Sequence, residues 1–356
     1  MKNSKRNVAV LAPERRRRRR EGGMNSKTKN ACSNEELRGL TLRHFPEADD
    51  ARFIELSGGM FNAVYLIESR HLPQGGAVLK IGPDPETEIL TYEKEIMHAE
   101  IQAYQLLSSR PIPTPKVLAY DLSRQKAPFD YFFMEKVQGR AWNDAAKGLP
   151  GAAKRELMKQ LGRCNAAVHG VCGEWFGYVK ADERFHFDSW GGAFCAMMGD
   201  VLDDARARGF RLPFAEIERT LTRRLSCLNE ITRPKLVDFD MWAGNVFIDR
   251  GEEGYRISGV IDFERCFYGD PFADFTSAAF LFKDVEREPE FCGGYASVSG
   301  KPLAVSEGDR IRMDLYRLYM AVILVAESYR YNDAYAWGMQ RFCAIQVRRL
   351  LKKLNA

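Results

Sequence analysis

The side chains best suited to chemistry fall along one stretch in the second half of the chain. Asp240 opens a short polar loop, Asn245 follows five residues later, and Asp262 ends an apolar run. That run, residues 257–261, and an earlier one, residues 246–248, flank a turn rich in glycine and charge, which predicts a β-hairpin. Because a hairpin returns the chain on itself, we expect Asn245 and Asp262 to lie close together at its open end.

These three groups suit phosphoryl transfer. That reaction needs mainly positioning and charge neutralisation, which Mg²⁺ on oxygen ligands and a carboxylate that orients the attacking hydroxyl can provide. Mg²⁺ takes one or two carboxylates together with substrate phosphates. The order of groups predicts Asp240 as the base, Asn245 as an amide ligand and Asp262 as a carboxylate ligand. Acidic residues beside hairpins are more often simple turn formers, so the spacing needs support from elsewhere in the chain.

That support comes from the residues downstream, because the whole segment resembles the catalytic segment of the aminoglycoside phosphotransferase and choline kinase group, relatives of the protein kinases. The pattern of that group is His-x-Asp-x-x-x-x-Asn, then Ile-Asp-Phe or Ile-Asp-Trp, then Gly-Asp-Pro-x-x-Asp. One position departs, since Asp238 stands where the group usually has His, and its charge would lie near two other carboxylates. The positions that match are Asp240, Asn245, Asp262, Gly269, Asp270, Pro271 and Asp274.

The resemblance, which covers residues 45–340, implies an α+β, two-lobed, protein-kinase-like fold. Residues 31–136 would form a small lobe of antiparallel sheet with one long helix, and residues 137–356 a larger, mainly helical lobe. ATP and Mg²⁺ would bind between the lobes, and the acceptor would be a hydroxyl on a small molecule. The interval from Asp262 to Asp274 leaves no room for the activation segment of protein kinases, which favours small acceptors over proteins.

Two features of the first lobe are expected to hold the nucleotide phosphates. Ser57, Gly58 and Gly59 lie between two β-prone runs, and glycines let backbone amides approach phosphate oxygens. Lys80 lies inside an apolar β-prone run, where an unpaired ammonium would be costly to bury. Such a lysine more often extends to the surface. If Lys80 stays buried, its ammonium needs a carboxylate partner.

Glu100 is the expected partner of Lys80. Apolar spacing predicts a helix over residues 86–107 and puts Glu100 on its inner face. A glycine turn, a strand with Lys and a helix with an inward Glu follow one another as in the kinases. Glu93, one heptad earlier on the same face, is the alternative partner. From the resemblance alone, Glu135 and Val137 mark the hinge between the lobes, whose backbone would hold the adenine.

The other secondary structure follows from periodicity and caps. Strands are expected at residues 52–56, 63–67, 77–81, 117–120 and 131–137. His169 resembles a family position and is expected to pack or to cap its helix rather than to react. Helices are expected at residues 34–44, 152–169, 189–206, 213–228, 275–282, 307–329 and 332–354, the first with Ser33 as its cap.

Composition indicates a large globular protein of a reducing compartment. The 356 residues, 45% of them hydrophobic, can form two lobes, and no apolar run approaches the length that a bilayer requires. The eight cysteines include no C-x-x-C pair, which argues against a zinc site or a disulfide framework. We therefore expect a cytoplasmic protein without a membrane partner, and the oligomeric state stays open.

Most of the positive charge lies at the N-terminus. The net charge is +5, but residues 1–23 hold nine Lys or Arg against two Glu, a local +7 that leaves −2 for the rest. The six arginines at 15–20 could bind polyanions by counterion release, or they could belong to a disordered basic tail over residues 1–30. A third interpretation is that Met24 is the true start and that residues 1–23 are not translated in the native protein.

Two other function classes stay open beside a small-molecule kinase. Asp238 is compatible with a pseudokinase or interaction protein that binds nucleotide without transferring phosphate. The arginine tract is compatible with a nucleic-acid partner, which the rest of the sequence does not favour. The acceptor itself cannot be read, because related enzymes act on aminoglycosides, choline and fructosamines. A cationic acceptor would need acidic neighbours, and Glu264, Asp270 and Asp274 are the acidic residues at hand.

Overall fold

The computed structural model of the protein describes residues 26–56, 59–277 and 284–356, and it confirms the two-lobed α+β fold. A five-stranded antiparallel sheet forms the first lobe, in the order β1-β2-β3-β5-β4. The central strand β3 is buried at every position, which places Lys80 inside the lobe. The strands are β1 (Arg52–Glu55), β2 (Ala63–Glu68), β3 (Gly76–Ile81), β4 (Val117–Asp121) and β5 (Tyr131–Glu135).

Two helices pack on this sheet, α1 (Asn34–His44) and α2 (Ile96–Leu107). Ser33 and Glu36 cap α1 reciprocally, as a capping box does. The prediction of a helix over residues 86–107 is wrong for its first half, residues 86–95. Thr91–Glu93 form a 3-10 turn, and Glu95 has a φ of 56°, a left-handed conformation that interrupts a right-handed helix.

The segment just before α2 packs into the second lobe instead of continuing the helix. Leu90 and Tyr92 are buried in the main hydrophobic core of that lobe. The Thr91 amide donates to Asp204 Oδ2 at 2.6 Å, and the Glu93 carboxylate is paired with the buried guanidinium of Arg330. The leading end of α2 is therefore anchored to the larger lobe.

Helices and two three-stranded sheets make up the second lobe. The sheets have the orders β10-β9-β6 and β7-β11-β8. The strands are β6 (Arg140–Ala141), β7 (Gly177–Tyr178), β8 (Lys235–Val237), β9 (Val246–Gly251), β10 (Gly254–Val260) and β11 (Phe267–Gly269). The helices are α3 (Trp142–Ala145), α4 (Gly151–His169), α5 (Trp190–Ala207), α6 (Phe214–Leu228), α7 (Asp274–Ser277), α8 (Pro289–Ser299), α9 (Glu307–Glu327) and α10 (Asp333–Leu354).

Helix α8 was not expected from the sequence, because its interior contains two glycines, which are poor helix formers. Its packing against α4 explains one of them. A Cβ at Gly294 would lie 1.9 Å from the carbonyl oxygen of Lys159, so only glycine lets the two helices approach so closely. Of the helix predicted at residues 275–282, residues 275–277 belong to α7, and residues 278–282 lie outside the described residues.

Residues 26–30, assigned to the basic tail from the sequence, lie against both lobes. The buried Thr28 hydroxyl donates to the carbonyl oxygen of Phe61 at 3.2 Å, and the Lys27 amide donates to the carbonyl of Arg330 at 3.1 Å. The arginine tract at 15–20 lies outside the described residues. None of the described helices combines the length and apolar character needed to cross a bilayer.

Arg330→Leu should destabilise the protein, because it leaves the buried Glu93 carboxylate without its cation. Breaking a buried ion pair from one side typically costs about 3–5 kcal/mol. Urea unfolding measures the loss. Arg124→Leu is the control, since its pair with Asp130 is half exposed and its loss should cost less than about 1 kcal/mol. Equal losses in the two variants would contradict the anchoring role of Arg330.

Candidate active site

The β9–β10 hairpin and the loop before it bring the three predicted reactive groups together. The Ile261 amide donates to the Asn245 carbonyl at 3.0 Å, which closes the open end of the hairpin. Asn245 Nδ2 donates to the Asp240 carbonyl at 3.0 Å. Asp262, the next residue after Ile261, has a φ of 74°, so its backbone is left-handed. Spacing along the sequence thus located the point at which Asp240, Asn245 and Asp262 meet.

Lys80 lies at the centre of the site. Its Nζ is 2.6 Å from Glu100 Oε2, 2.8 Å from Asp262 Oδ1 and 3.7 Å from Glu264 Oε2. Burial by itself would lower the pKa of Lys80, but the three carboxylates outweigh burial and raise the pKa above its usual value. The ammonium is therefore charged at neutral pH. Glu100 is the partner of Lys80, and the alternative, Glu93, is paired with Arg330.

Tyr104 connects two of these groups, a role that only its position one turn after Glu100 could have indicated from the sequence. Its hydroxyl donates to Glu100 Oε1 at 3.0 Å and accepts the Asp262 amide at 3.0 Å. Its ring packs edge-on against Phe263. Tyr104 therefore holds both the partner of Lys80 and the backbone of Asp262, whose left-handed conformation needs such support.

Glu264 adds a further carboxylate to the cluster. Asn62 Nδ2, in the turn between β1 and β2, donates to Glu264 Oε2 at 3.0 Å, so this contact links the two lobes. Burial, and then the nearby charge of Asp262, raise the pKa of Glu264 well above its usual value. Oxygen atoms of Glu100, Asp262 and Glu264 lie within 4.8 Å of one another, close enough to share a cation.

Asp240 faces a guanidinium. Its Oδ2 lies 3.5 Å from Arg265 Nε, and Arg265 Nη2 lies 2.8 Å from Glu327 Oε1. The Tyr92 hydroxyl also donates to Glu327. Burial raises the pKa of Asp240 to about 7, while Arg265 opposes this increase. Arg265, Glu327 and Tyr92 come from three separate segments, so no local pattern in the sequence joins them to Asp240.

Asp238 is fully buried, and no hydrogen bond of good geometry reaches either carboxyl oxygen within the described part of the chain. Burial raises its pKa well above the usual value, and the charges of Asp274, Asp240 and Asp262 raise it further, against a weak opposing effect of the Asp240 amide. The folded protein therefore disfavours the charged form of Asp238, and with it the repulsion between carboxylates that the sequence indicated.

Two acidic residues downstream, Asp270 and Asp274, bind neighbouring groups of the protein and have a structural role. Asp274 accepts the Asp238 amide at 3.2 Å and the Phe239 amide at 2.6 Å, and its Oδ2 is 2.9 Å from His169 Nε2. These bonds fix the loop where Phe239 has a φ of 62°. Asp270 Oδ2 accepts from Arg312 and Tyr316. Both carboxylates are thus occupied by the protein.

The structure describes only some of the residues expected to hold the nucleotide. Ser57 and Gly58 lie outside the described residues, and Gly59 lies in the turn that leads to Asn62. Glu135 ends β5, where its Oε2 accepts the Lys116 amide at 3.2 Å. Val137 follows in the connection to β6 and packs on Gly259. A role of these residues in nucleotide binding stays a prediction.

The sequence model of the phosphotransferase enzyme family matches residues 52–303. That span contains Lys80, Glu100, Asp240, Asn245 and Asp262, the residues that meet at the site.

Solved structures show the same fold. One from Ralstonia eutropha JMP134, assigned as an aminoglycoside phosphotransferase, has a TM-score of 0.63 and 13% identity, over 91% of this chain and 98% of that one. A thermostable mutant of aminoglycoside phosphotransferase APH(4)-Ia, in complex with ADP and hygromycin B, has a TM-score of 0.59 and 15% identity, over 89% and 98%. A microcompartment-associated aminopropanol kinase has a TM-score of 0.55 and 18% identity, over 90% and 98%.

Tyr104→Phe should weaken Mg²⁺-dependent nucleotide binding by about tenfold, because it removes one hydrogen bond to a carboxylate and one from a backbone amide. Calorimetric titration with AMP-PNP and Mg²⁺ measures the change without any acceptor. Tyr120→Phe is the matched control, because that ring is half exposed on β4. If both variants bind as the wild type does, Tyr104 does not position the site.

Asp238→Asn should make stability less sensitive to pH. A carboxyl whose folded pKa is raised keeps its proton when folded and loses it on unfolding, so wild-type stability falls as pH rises above the unfolded value. The free energy of unfolding should therefore fall by up to about 1.4 kcal/mol per pH unit more steeply in the wild type than in the variant. Urea unfolding at pH 5 and pH 8 tests this. Parallel pH profiles would show that Asp238 is ionised in the folded protein.

Proposed function

The chain belongs to the phosphotransferase enzyme family, and from that premise we propose that it transfers the γ-phosphoryl group of ATP, with Mg²⁺, to a hydroxyl of a small molecule. One observation carries the proposal. A buried, charged lysine is held by Glu100 and Asp262 at hydrogen-bond distance, beside a loop that presents Asp240. Phosphoryl transfer needs such an arrangement of fixed charges more than it needs covalent chemistry.

The donor set fits Mg²⁺. Asn245 uses its amide nitrogen on the Asp240 carbonyl, so its Oδ1 is the atom that would serve as a ligand. Asp262 supplies a carboxylate whose side chain is 31% exposed, and Glu264 lies close enough to add another oxygen. Hard oxygen donors of this kind, with one or two carboxylates, are those that Mg²⁺ prefers. When bound, the metal would neutralise charge on the phosphates.

Lys80 and the turn around Gly59 are the groups for the phosphates of ATP. The ammonium is kept charged by its carboxylate neighbours and is fixed in direction by Glu100. Asn62 ties the phosphate-covering turn to Glu264 across the cleft. Solved relatives include a complex with ADP and hygromycin B, which supports nucleotide binding by this chain. The backbone at Glu135 and Val137 is the proposed adenine contact.

Asp240 is the proposed base. Its side chain is 23% exposed, so an acceptor hydroxyl can reach it, and its pKa of about 7 suits a group that accepts a proton near neutral pH. Burial and the neighbouring carboxylates raise the pKa of Asp238, which disfavours its charged form beside Asp240 and so supports an active enzyme over a pseudokinase. The eight free cysteines suit the cytoplasm as the place of action.

Asp240→Asn should lower turnover by about 10²–10⁴-fold while Mg²⁺-nucleotide still binds, because it removes the base and keeps the ligands. Asp262→Ala should abolish Mg²⁺-dependent nucleotide binding. ATP consumption over a panel of hydroxylated and amino-sugar acceptors, together with calorimetry, separates the two effects. Glu252→Gln, at the exposed hairpin turn, is the control. Full turnover by Asp240→Asn, or wild-type binding by Asp262→Ala, would contradict the assignment.

A further inference from the structure

The proposed phosphate-covering turn between β1 and β2 is attached to the larger lobe by its last two residues. Phe61 is buried in the main hydrophobic core of that lobe, and the centre of its ring lies 5.3 Å from the guanidinium carbon of Arg330. Asn62 bonds to Glu264 across the cleft. These contacts hold side chains, whereas a phosphate on such a turn would meet backbone amides. The direction of the peptide groups therefore needs a support of its own.

That support comes from Thr28, which precedes the first lobe in the sequence. Its hydroxyl oxygen lies 3.3 Å from the carbonyl oxygen of Met60 and 3.2 Å from that of Phe61, so one proton is shared between two acceptors. Ser26 Oγ lies 2.9 Å from Thr28 Oγ1 and can donate its own proton to that oxygen. Because Thr28 is buried, water does not offer its hydroxyl an alternative partner.

Holding these two carbonyls also sets the direction of two amides. In a trans peptide group, as both of these are, the C=O and the N–H point in opposite directions. The N–H groups of Phe61 and Asn62 therefore point away from Thr28, and neither donates to another of the described residues. The turn thus keeps two donors of fixed direction for a ligand.

The segment that carries Thr28 is attached to both lobes. The Lys27 amide donates to the Arg330 carbonyl at 3.1 Å, which fixes one end of the segment to the larger lobe. The Cys32 amide donates to the Tyr65 hydroxyl at 3.1 Å, which fixes the other end to β2. A turn that moved away from the larger lobe would therefore break its bonds to Thr28 or the bond between Lys27 and Arg330.

We propose that residues 26–32 are part of the nucleotide site and that Thr28 is a positioning residue for the phosphates. Thr28 does not touch the nucleotide. It orients the peptide groups of residues 60–62, whose amides receive the phosphate oxygens. The sequence predicted a basic tail as far as residue 30, and no motif near residue 28 indicates this contact. The inference rests on the proposed function and adds to it a residue that acts through the turn.

The test compares a nucleotide with a nucleoside, because Thr28 should act on the phosphates and not on adenine. Thr28→Val keeps the shape of the side chain and removes the hydroxyl. Mg²⁺-AMP-PNP should then bind about three- to tenfold more weakly, as expected for one lost hydrogen bond, while adenosine binds as before. Thr28→Ser keeps the hydroxyl and should keep the affinity. Calorimetric titration of the full-length protein measures both ligands, and Thr222→Val, at an exposed hydroxyl of α6, is the control.

A second pair of variants tests the attachment at residue 27. Proline has no N–H, so Lys27→Pro removes the donor to the Arg330 carbonyl, whereas Lys27→Ala removes only an exposed side chain. Lys27→Pro should weaken Mg²⁺-AMP-PNP binding as Thr28→Val does, and Lys27→Ala should leave it unchanged. This pair decides the question if Thr28→Val does not fold.

Urea unfolding of each variant separates positioning from stability, since a purely structural role would lower the free energy of unfolding without distinguishing nucleotide from nucleoside. Wild-type affinity for Mg²⁺-AMP-PNP in both Thr28→Val and Lys27→Pro overturns the proposal. Equal losses for AMP-PNP and adenosine also overturn it, because Thr28 then does not act through the phosphates. If the wild type binds no Mg²⁺-AMP-PNP, the proposed function itself fails, and this inference falls with it.

Discussion

The ammonium of Lys80, buried in the central strand of the first lobe, is the charge on which the described site depends. A buried cation is tolerated only when carboxylates and hydrogen bonds replace its water. Here the replacements come from different parts of the chain, because Glu100 lies on α2 and Asp262 and Glu264 follow the β9–β10 hairpin. Satisfying one charge therefore fixes the position of a helix and of a loop relative to the sheet. The same geometry would present a cation and oxygen ligands to a nucleotide.

The approach of the two lobes is stabilised by further buried polar contacts near this charge. The segment before α2 leaves the first lobe and joins the core of the second, where Tyr92 contacts Glu327 and Glu93 contacts Arg330. Glu327 in turn holds Arg265 against Asp240. A continuous path of hydrogen bonds and ion pairs thus runs from the start of α2 to the proposed base. Because Tyr92, Glu93, Glu327 and Arg330 are buried, moving α2 would leave buried charged groups unpaired.

The sequence was sufficient for the parts of the site whose signal is local. Asp240, Asn245 and Asp262 share one segment, and their spacing around a hairpin brings them together whatever surrounds them. Lys80 and Glu100 could be paired because helical periodicity puts Glu100 on the apolar face of α2. The strands of the first lobe and most helices of the second were found for the same reason, since each has its own period or cap.

Where the predictions were wrong or absent, the contact that determines the structure is made by a residue distant in sequence. Leu90 and Tyr92 extend the apolar period of α2 backwards, but their burial is against the other lobe, so the helix does not continue through them. Nothing in the sequence distinguishes Arg265 and Glu327 from other charged residues. They come together only because the fold places α9 beside the loop that follows the β9–β10 hairpin. The raised pKa of Asp238 depends first on complete burial, which no pattern around residue 238 indicates.

We infer that the groups around Lys80 bind a divalent metal together with a nucleotide. A crystal grown with Mn²⁺ and AMP-PNP tests it directly, because anomalous scattering locates the metal independently of the protein. We expect one or two peaks bonded to Asn245 Oδ1 and the Asp262 carboxylate, with Lys80 still in contact with Glu100. Another group that could hold a cation is the exposed cluster of Asp49, Asp50 and His71. Metal bound only there, or a nucleotide bound away from Lys80, would show that the groups around Lys80 are not the binding site.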